Sequence, residues 1–245
     1  QPMHDRRLAR QKLKEDPHDF EHRLHQAKMG LITYLGKRFL PGGYWSKNRM
    51  EEREQAQGLE KKTVLHLTFD DGPSPESTRE LLALLEEEQV AACFFFIGEN
   101  VRRYPELVQA TFKAGHIVAN HSLSHPFMPA LSLPKMEHEI DETNRELEAI
   151  TGEKPALFRP PFGIIDARCA ELLKERRMSP VYWGAVADDW HRVGDDRVAK
   201  RIMKQLPQEE LIVLHEGAHI GRQNVLATKK IIDKCRDLGY SFDAI

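Results

Sequence analysis

Apolar and polar positions alternate in two distinct rhythms from Lys61 to the end of the chain. Short apolar runs with the length and flanks of buried strands occur at residues 64–69, 91–97, 116–119, 156–158, 181–186, 211–214 and 240–242. Helical spacing occurs between them, at residues 77–89, 105–114, 135–150, 166–177, 195–206 and 225–238. Gly115, Gly152 and Gly239 follow three of these helices, where a left-handed cap is expected.

The repeated order of strand, helix and strand predicts an α/β fold with a parallel sheet. Seven strands within residues 61–245 favour a closed or nearly closed, distorted β/α barrel over an open sheet. We therefore predict one catalytic domain over residues 61–245.

Residues 1–60 differ from this pattern. They are dense in charge, and their one apolar cluster, at residues 29–40, ends at Pro41-Gly42-Gly43. They also hold four of the 12 histidines, His4, His18, His22 and His25. We predict a mainly helical N-terminal extension rather than a second enzyme.

Composition narrows the choice of partners. The 36 basic and 38 acidic residues give a net charge of −2, which provides no strong field toward nucleic acid and suits an uncharged substrate. Cys93, Cys169 and Cys235 are too few and too scattered for a disulfide framework or a cysteine zinc cluster. No apolar stretch is long enough for a transmembrane helix. The first residue is Gln1, so we expect a processed or trimmed chain in which a signal peptide is not visible.

Unusual polar residues cluster directly after the apolar runs. They are Asp70, Asp71, His121, His125, Arg159, Asp189 and His215. In a parallel β/α barrel the residues that follow each strand converge on one rim, where side chains from distant parts of the chain share a pocket. The sequence therefore predicts a single site rich in ionisable groups.

Two of these segments favour a metal site. Asp70 and Asp71 end a strand before Gly-Pro, and neighbouring residues point in different directions, so one carboxylate can bind a metal while the other transfers protons. His121 and His125 are four residues apart, a spacing that places both on one face of a helical turn. Two histidines and one carboxylate are typical of catalytic zinc. The ordinary alternatives are a turn aspartate and a surface histidine pair.

The remaining groups suggest supporting and acid-base roles. Arg159 lies in a stiff Pro-rich turn, where its charge could orient a carboxylate or form a structural salt bridge. Asp189 precedes Trp190, whose ring could form a wall for a sugar. His215 ends an apolar strand, where an ordinary core histidine is the common alternative.

In this order the motifs resemble the polysaccharide deacetylase family, also called the NodB homology domain or carbohydrate esterase family four. The matching segments are residues 68–74, 121–125, 159–163, 183–190 and 213–215. The resemblance covers residues 61–245 and implies a distorted β/α barrel with a Zn²⁺ ion, for which Co²⁺ or Ni²⁺ could substitute. It implies that Asp71, His121 and His125 bind the metal, that Asp70 is the base and that His215 is the acid.

The resemblance also assigns supporting roles. Arg159 would hold Asp70, Asp189 would orient His215, and the Phe162 backbone N–H would stabilise the oxyanion. The substrate pocket would include Pro161, Phe162, Trp183, Trp190 and Val213. Four positions depart from the usual pattern and affect substrate detail: Phe162 for Tyr, Val213 for Leu, Val186 for an acidic residue and Glu216 for Asp.

The expected activity is hydrolysis of N-acetyl groups on a glycan that contains N-acetylglucosamine, with peptidoglycan favoured. The alternatives are an O-acetyl esterase of the xylan type, a chitooligosaccharide deacetylase and a non-catalytic glycan-binding module. The resemblance also implies a secreted or periplasmic protein with an acetylated glycan as its partner. No feature of the sequence specifies an oligomeric state.

Overall fold

The computed structural model describes residues 64–206 and 209–245. The predicted helical extension over residues 1–60 lies outside these described residues. All the residues predicted for the site lie within the described residues.

Strands alternate with helices along the described chain. The strands are β1 (Val64–Asp70), β2 (Ala92–Phe96), β3 (Ile117–Asn120), β4 (Leu157–Phe158), β5 (Ser179–Pro180), β6 (Leu211–His215) and β7 (Ser241–Phe242). The helices are α1 (Thr78–Glu87), α2 (Gly98–Arg103), α3 (Pro105–Lys113), α4 (Leu133–Thr151), α5 (Ala167–Glu175), α6 (Asp195–Met203) and α7 (Gln223–Asp237). Two short 3₁₀ turns, Met128–Ala130 and Pro161–Gly163, complete the order.

All strand pairs are parallel, and the sheet has the order β5-β4-β3-β2-β1-β6, with β7 paired to the start of β1. Helices connect most of the strands, as parallel pairing requires. The predicted α/β class and the distorted, curled barrel are confirmed.

The strand predicted over residues 181–186 is wrong in its bounds. Strand β5 ends at Pro180, and the next residues make only an isolated bridge between Ala185 and Ile212. This segment joins the two ends of the sheet: Val181 N–H donates to the Phe158 carbonyl of β4, and Ala185 N–H donates to the Leu211 carbonyl of β6. The approach is so close that a Cβ on Gly184 would lie 2.2 Å from the Leu211 carbonyl oxygen. Irregular backbone therefore completes the curl of the sheet.

The two faces of β1 have different environments. Leu65, Leu67 and Phe69 pack with apolar residues of the surrounding helices in the main core. Thr68 and Asp70 alternate with them and are equally buried, so they point to the other side of the strand. Alternation along one strand thus separates the core from the chemistry.

Helix positions follow the predictions closely. All six predicted helices are present, with ends that differ by a few residues, and Gly115, Gly152 and Gly239 have φ values of 83°, 77° and 83°. Helix α2 was not predicted, because six residues are too few to display a helical period.

The three cysteines are buried and free. No described helix combines the length and hydropathy that a membrane crossing requires.

Candidate active site

Strand register brings the ends of β1 and β6 together. Asp70 is aligned with His215 and Thr68 with Val213, so both pairs lie at matching heights on adjacent strands. The Glu216 N–H donates to the Asp70 carbonyl and continues this pairing by one residue. The predicted base and acid therefore come from neighbouring positions on the sheet although they are far apart in the chain.

Three side chains form the candidate metal centre. Asp71 Oδ1 lies 3.4 Å from His121 Nε2 and 3.6 Å from His125 Nε2. One donor atom from each residue lies within 4.8 Å of the other two, and this is the one such group of metal-binding side chains among the described residues. Asp71 Oδ1 is buried and makes no hydrogen bond within the described structure. A buried carboxylate oxygen between two imidazole nitrogens fits a Zn²⁺ ion, which prefers this set of donors.

The two histidines are not on a helical turn, so the predicted reason for their proximity is wrong. The segment is a loop in which Ser122 and His125 have φ values of 65° and 57°. Side chains replace the helical hydrogen bonds: Ser122 N–H donates to Asn120 Oδ1, and His125 N–H donates to Ser122 Oγ. Glu139 of α4 accepts from the N–H groups of the two residues in between. The loop is therefore held by its own polar side chains and by one helix.

A backbone carbonyl fixes the orientation of the His121 ring. His121 Nδ1 lies 2.7 Å from the carbonyl oxygen of Arg159. Because a carbonyl only accepts, Nδ1 carries a proton, and Nε2 is the ring nitrogen that faces Asp71. This is the tautomer that a metal ligand needs.

The electrostatics of Asp71 and His125 favour their metal-binding forms. Burial by itself would raise the pKa of Asp71, but the imidazoles of His121, His215 and His125 outweigh it and lower this pKa below its ordinary value. Burial, together with the charge of His121, lowers the pKa of His125. An ionised carboxylate and a neutral imidazole are the forms that coordinate a cation.

Asp70 lies beside this group and is held by a different contact. Arg159 Nη1 donates to Asp70 Oδ1 at 2.6 Å and to Thr68 Oγ1 at 2.7 Å. All three side chains are fully buried, and the guanidinium lies 4.1 Å from the centre of the Phe95 ring. Asp70 Oδ2 makes no hydrogen bond within the described residues and lies 4.0 Å from His121 Nε2. One oxygen of Asp70 is thus fixed, and the other faces the candidate metal centre.

His215 is held by Asp189 at two points. Asp189 Oδ2 accepts from the His215 N–H at 2.7 Å, and Asp189 Oδ1 lies 3.1 Å from His215 Nδ1. Burial would lower the pKa of His215, but the charge of Asp189 and its hydrogen bond, with help from Asp71 and Asp70, raise it to about 9. The imidazole is therefore in its doubly protonated, cationic form at neutral pH.

The first turn of α7 packs against the acid side, a contact that sequence patterns did not predict. Asn224 Nδ2 donates to Asp189 Oδ2 at 2.5 Å and to the His215 carbonyl at 2.7 Å. Gln223 Nε2 donates to the carbonyls of Asp189 and His191. Both residues lie in an ordinary amphipathic pattern, where an amide that points to another loop looks like any other polar position.

Glu216 is another buried acid, which the sequence analysis named only as a departure from the family pattern. Its Oε2 accepts from Ser77 Oγ at 2.8 Å and from Thr78 Oγ1 at 2.6 Å. Burial raises the pKa of Glu216 to about 7, although these hydroxyls oppose the shift. A Cβ added to Gly72 would lie only 2.1 Å from Glu216 Oε1, so the Glu216 side chain packs directly against the turn after Asp71.

Aromatic rings flank the polar groups. Trp190 and Trp183 lie 5.1 and 6.2 Å from the His215 ring, centre to centre, and contact each other. On the metal side the Phe162 ring lies 4.8 Å from His125. Pro161 and Val213 are buried, and Val213 shares one face of β6 with His215. All the residues predicted for the site therefore lie at or next to one rim of the sheet.

The fold and these five motif segments define the class. The family model for polysaccharide deacetylases matches residues 57–181. The chain belongs to the polysaccharide deacetylase family.

Individual relatives narrow the comparison. A peptidoglycan-N-acetylmuramic acid deacetylase, PdaC of Bacillus subtilis, is 36% identical over 72% of this chain, but the match spans only 37% of that protein's length. A peptidoglycan-N-acetylglucosamine deacetylase of Bacillus cereus is 34% identical over 73% of this chain and 84% of its own. The crystal structure of the Bc1960 peptidoglycan N-acetylglucosamine deacetylase superposes with a TM-score of 0.72 at 30% identity, covering 76% of this chain and 87% of that one.

Proposed function

We propose that this chain is a zinc-dependent hydrolase that removes acetyl groups from N-acetylated sugars of a wall glycan, peptidoglycan. The observation that carries the proposal is the meeting of three sets of groups at one rim: a metal-binding triad, a carboxylate with one free oxygen and a protonated imidazole. Amide hydrolysis needs each of them, because the attacking water is a weak nucleophile and the amine is a poor leaving group.

Asp71, His121 and His125 would hold the Zn²⁺ ion. When bound, the ion would supply Lewis acidity toward the acetyl carbonyl and a lowered pKa for a coordinated water. The buried, unpaired Asp71 Oδ1 and the carbonyl-fixed His121 ring support this assignment.

Asp70 would act as the general base. Arg159 occupies its Oδ1, so the free Oδ2 is the atom that would accept a proton from the attacking water. The guanidinium holds Oδ1 at 2.6 Å and so prevents this carboxylate from rotating. Arg159 is therefore assigned as a positioning residue.

His215 would act as the general acid. Asp189 holds the imidazole through Nδ1, which leaves Nε2 to donate a proton to the departing sugar amine. Charge development on the acetyl oxygen would be stabilised by the Phe162 backbone N–H.

The proposed substrate follows from the relatives and from the rim. Two peptidoglycan deacetylases are among the relatives at 34–36% identity, and aromatic rings next to both histidine groups suit the apolar faces of a sugar chain. Because such a glycan is outside the inner membrane, we place the protein in a secreted or periplasmic setting. The family also includes pseudoenzymes, but a non-catalytic module would not need both Asp70 and His215.

Acetate release from peptidoglycan, chitooligosaccharides and acetylxylan, each with and without a chelator, tests the proposal. We expect the greatest release from peptidoglycan, its loss with chelator and its return with added Zn²⁺. Release of free hydroxyl from xylan alone would replace the proposal with an esterase. If the zinc-loaded protein releases no acetate from any of the three glycans, a non-catalytic glycan-binding module is favoured instead.

A further inference from the structure

Two exposed phenylalanines extend the metal side of the rim outward. The rings of His121, His125, Phe162 and Phe127 follow one another with centre-to-centre distances of 4.9, 4.8 and 6.4 Å. The row begins at a buried candidate ligand and ends at the surface. Phe127 and Phe162 are 46% and 47% exposed, and they are the two aromatic residues among the large apolar side chains recorded as exposed in the described chain.

The local backbone holds both rings outward. Phe162 has a φ of 58°, a conformation that non-glycine residues adopt at a cost. Phe127 immediately precedes the 3₁₀ turn Met128–Ala130, in which the Met128 side chain is fully buried and anchors the segment. The buried Met128 side chain therefore fixes the backbone directly beside the exposed Phe127 ring.

We infer that Phe127 and Phe162 form a platform that binds the apolar face of a pyranose ring next to the acetylated sugar. We call this pair the Phe127–Phe162 platform; its assignment to a sugar rests on the proposed function. Axial C–H groups make one face of a pyranose apolar, and this face packs on aromatic rings, whereas a contiguous exposed apolar patch otherwise has no stabilising partner in water.

The position of Phe127 sets which sugar it contacts. Phe162 separates it from His125, so Phe127 is one ring further from the reacting acetyl group than any candidate catalytic group on this side. Its contribution therefore depends on the length of the glycan. A substrate that consists of an acetyl group on a small leaving group does not reach it.

Variant Phe127→Ala tests the platform with N-acetylated chitooligosaccharides from two to six sugars and with an aryl acetate. We expect kcat/KM to fall roughly threefold to tenfold for the longer oligomers, mainly through KM, with the aryl acetate unchanged. Phe127→Trp should restore the longer substrates. Leu238→Ala is the matched control, because Leu238 is an equally apolar side chain, 67% exposed, just after α7 ends at Asp237.

Three results would overturn the inference. The first is an unchanged kcat/KM of Phe127→Ala on the longest oligomers, and the second is an equal loss on the aryl acetate. The third is a dimer of the wild-type chain that Phe127→Ala converts to a monomer in sedimentation, which would assign the pair to self-association.

Calorimetric binding of the same oligomers separates this inference from the proposed function. If wild type binds the longer oligomers but releases no acetate, the activity is wrong and weaker binding by Phe127→Ala still supports the platform. If wild type hydrolyses the longer oligomers and Phe127→Ala binds them as tightly as wild type does, the platform fails and the proposed function stands.

Discussion

The two sides of the candidate site are built by opposite means. On the metal side, Asp71, Ser122 and His125 adopt positive φ values in loops, and Asp71 Oδ1 has no hydrogen bond within the described residues. On the acid side, His215 ends a regular strand. The Asp189 carboxylate accepts from the His215 backbone N–H and from Asn224 Nδ2, and it lies 3.1 Å from His215 Nδ1. The acid-side groups bind one another within the protein, whereas the metal-side donor atoms converge on one point, as a candidate cation site requires.

This difference predicts where each kind of damage appears. A change on the metal side should alter metal content and turnover together, while a change on the acid side should alter proton transfer and leave the metal in place. Variants of the two sides can therefore be separated by two measurements, bound metal and rate.

The largest effect is expected for His121→Ala. Loss of one of three donors should remove stoichiometric zinc and lower deacetylation by about four orders of magnitude. Elemental analysis and acetate release measure the two outcomes. His138→Ala is the matched control, because His138 is an exposed histidine on α4 whose near charged neighbour is Glu142. Full zinc content in His121→Ala would refute the ligand assignment.

The Asp70→Asn variant should lower the turnover without changing the zinc content, although Asp70 lies beside the candidate metal centre. The amide keeps the shape but cannot accept a proton, so turnover should fall by about three orders of magnitude while zinc stays bound. The same two assays apply. A variant with wild-type turnover would mean that another group is the base.

The pH dependence of the deacetylation rate should report the protonation of His215 on the acid side. With its pKa raised to about 9, His215 stays protonated at neutral pH, so deacetylation of amides should fall above about pH 9 as the proton is lost. His215→Gln should lower amide turnover by about two orders of magnitude and remove this limb. An aryl acetate, whose leaving group needs no proton, should be much less affected. An unchanged alkaline limb in the variant would assign it to another group.

The same shift affects stability, since the folded pKa lies above the unfolded value of about 6.5. Protonated His215 therefore stabilises the fold fully below pH 6.5, and the contribution disappears as pH rises through about 9. Thermal unfolding of the metal-free wild type and His215→Gln across this range should converge at high pH.

The smallest effect is expected for Asn224→Ala. Its side chain holds Asp189 Oδ2, so its loss should reduce amide deacetylation roughly tenfold while the aryl acetate is spared. Gln223→Ala is the matched control, because Gln223 donates to the backbone carbonyls of the same loop and not to the Asp189 carboxylate. If Asn224→Ala and Gln223→Ala lost the same fraction of their activity on both the amide and the aryl acetate, Asn224 would only stabilise the loop.

Sequence patterns predicted the elements and the rim well because both depend on periodicity and on the ends of strands. Buried strands such as β1 and β6 are continuous apolar runs, and parallel strands bring Asp70, His121, Arg159 and His215 to the same edge. The seven residues chosen from these strand ends are the ones that the structure brings together, although their chemical roles stay predictions.

What the sequence could not predict depends on contacts between distant segments. The histidine loop has a helical spacing but no helix, because Asn120, Ser122 and Glu139 satisfy its backbone instead. The segment at 181–186 has the composition of a strand, yet it crosses from one sheet end to the other. Asn224 carries no local signal, because its partners are 9 and 35 residues away in the chain.

Gly72 and Glu216 illustrate a consequence for anyone who redesigns this rim. A methyl group at position 72 would meet both the Glu216 carboxyl and the Phe96 ring, at 2.1 and 2.9 Å. Two hydroxyls fix that carboxyl, so it cannot simply move aside. A side chain at position 72 thus requires changes at both Glu216 and Phe96, so a library at this turn should keep Gly72 or vary all three positions together.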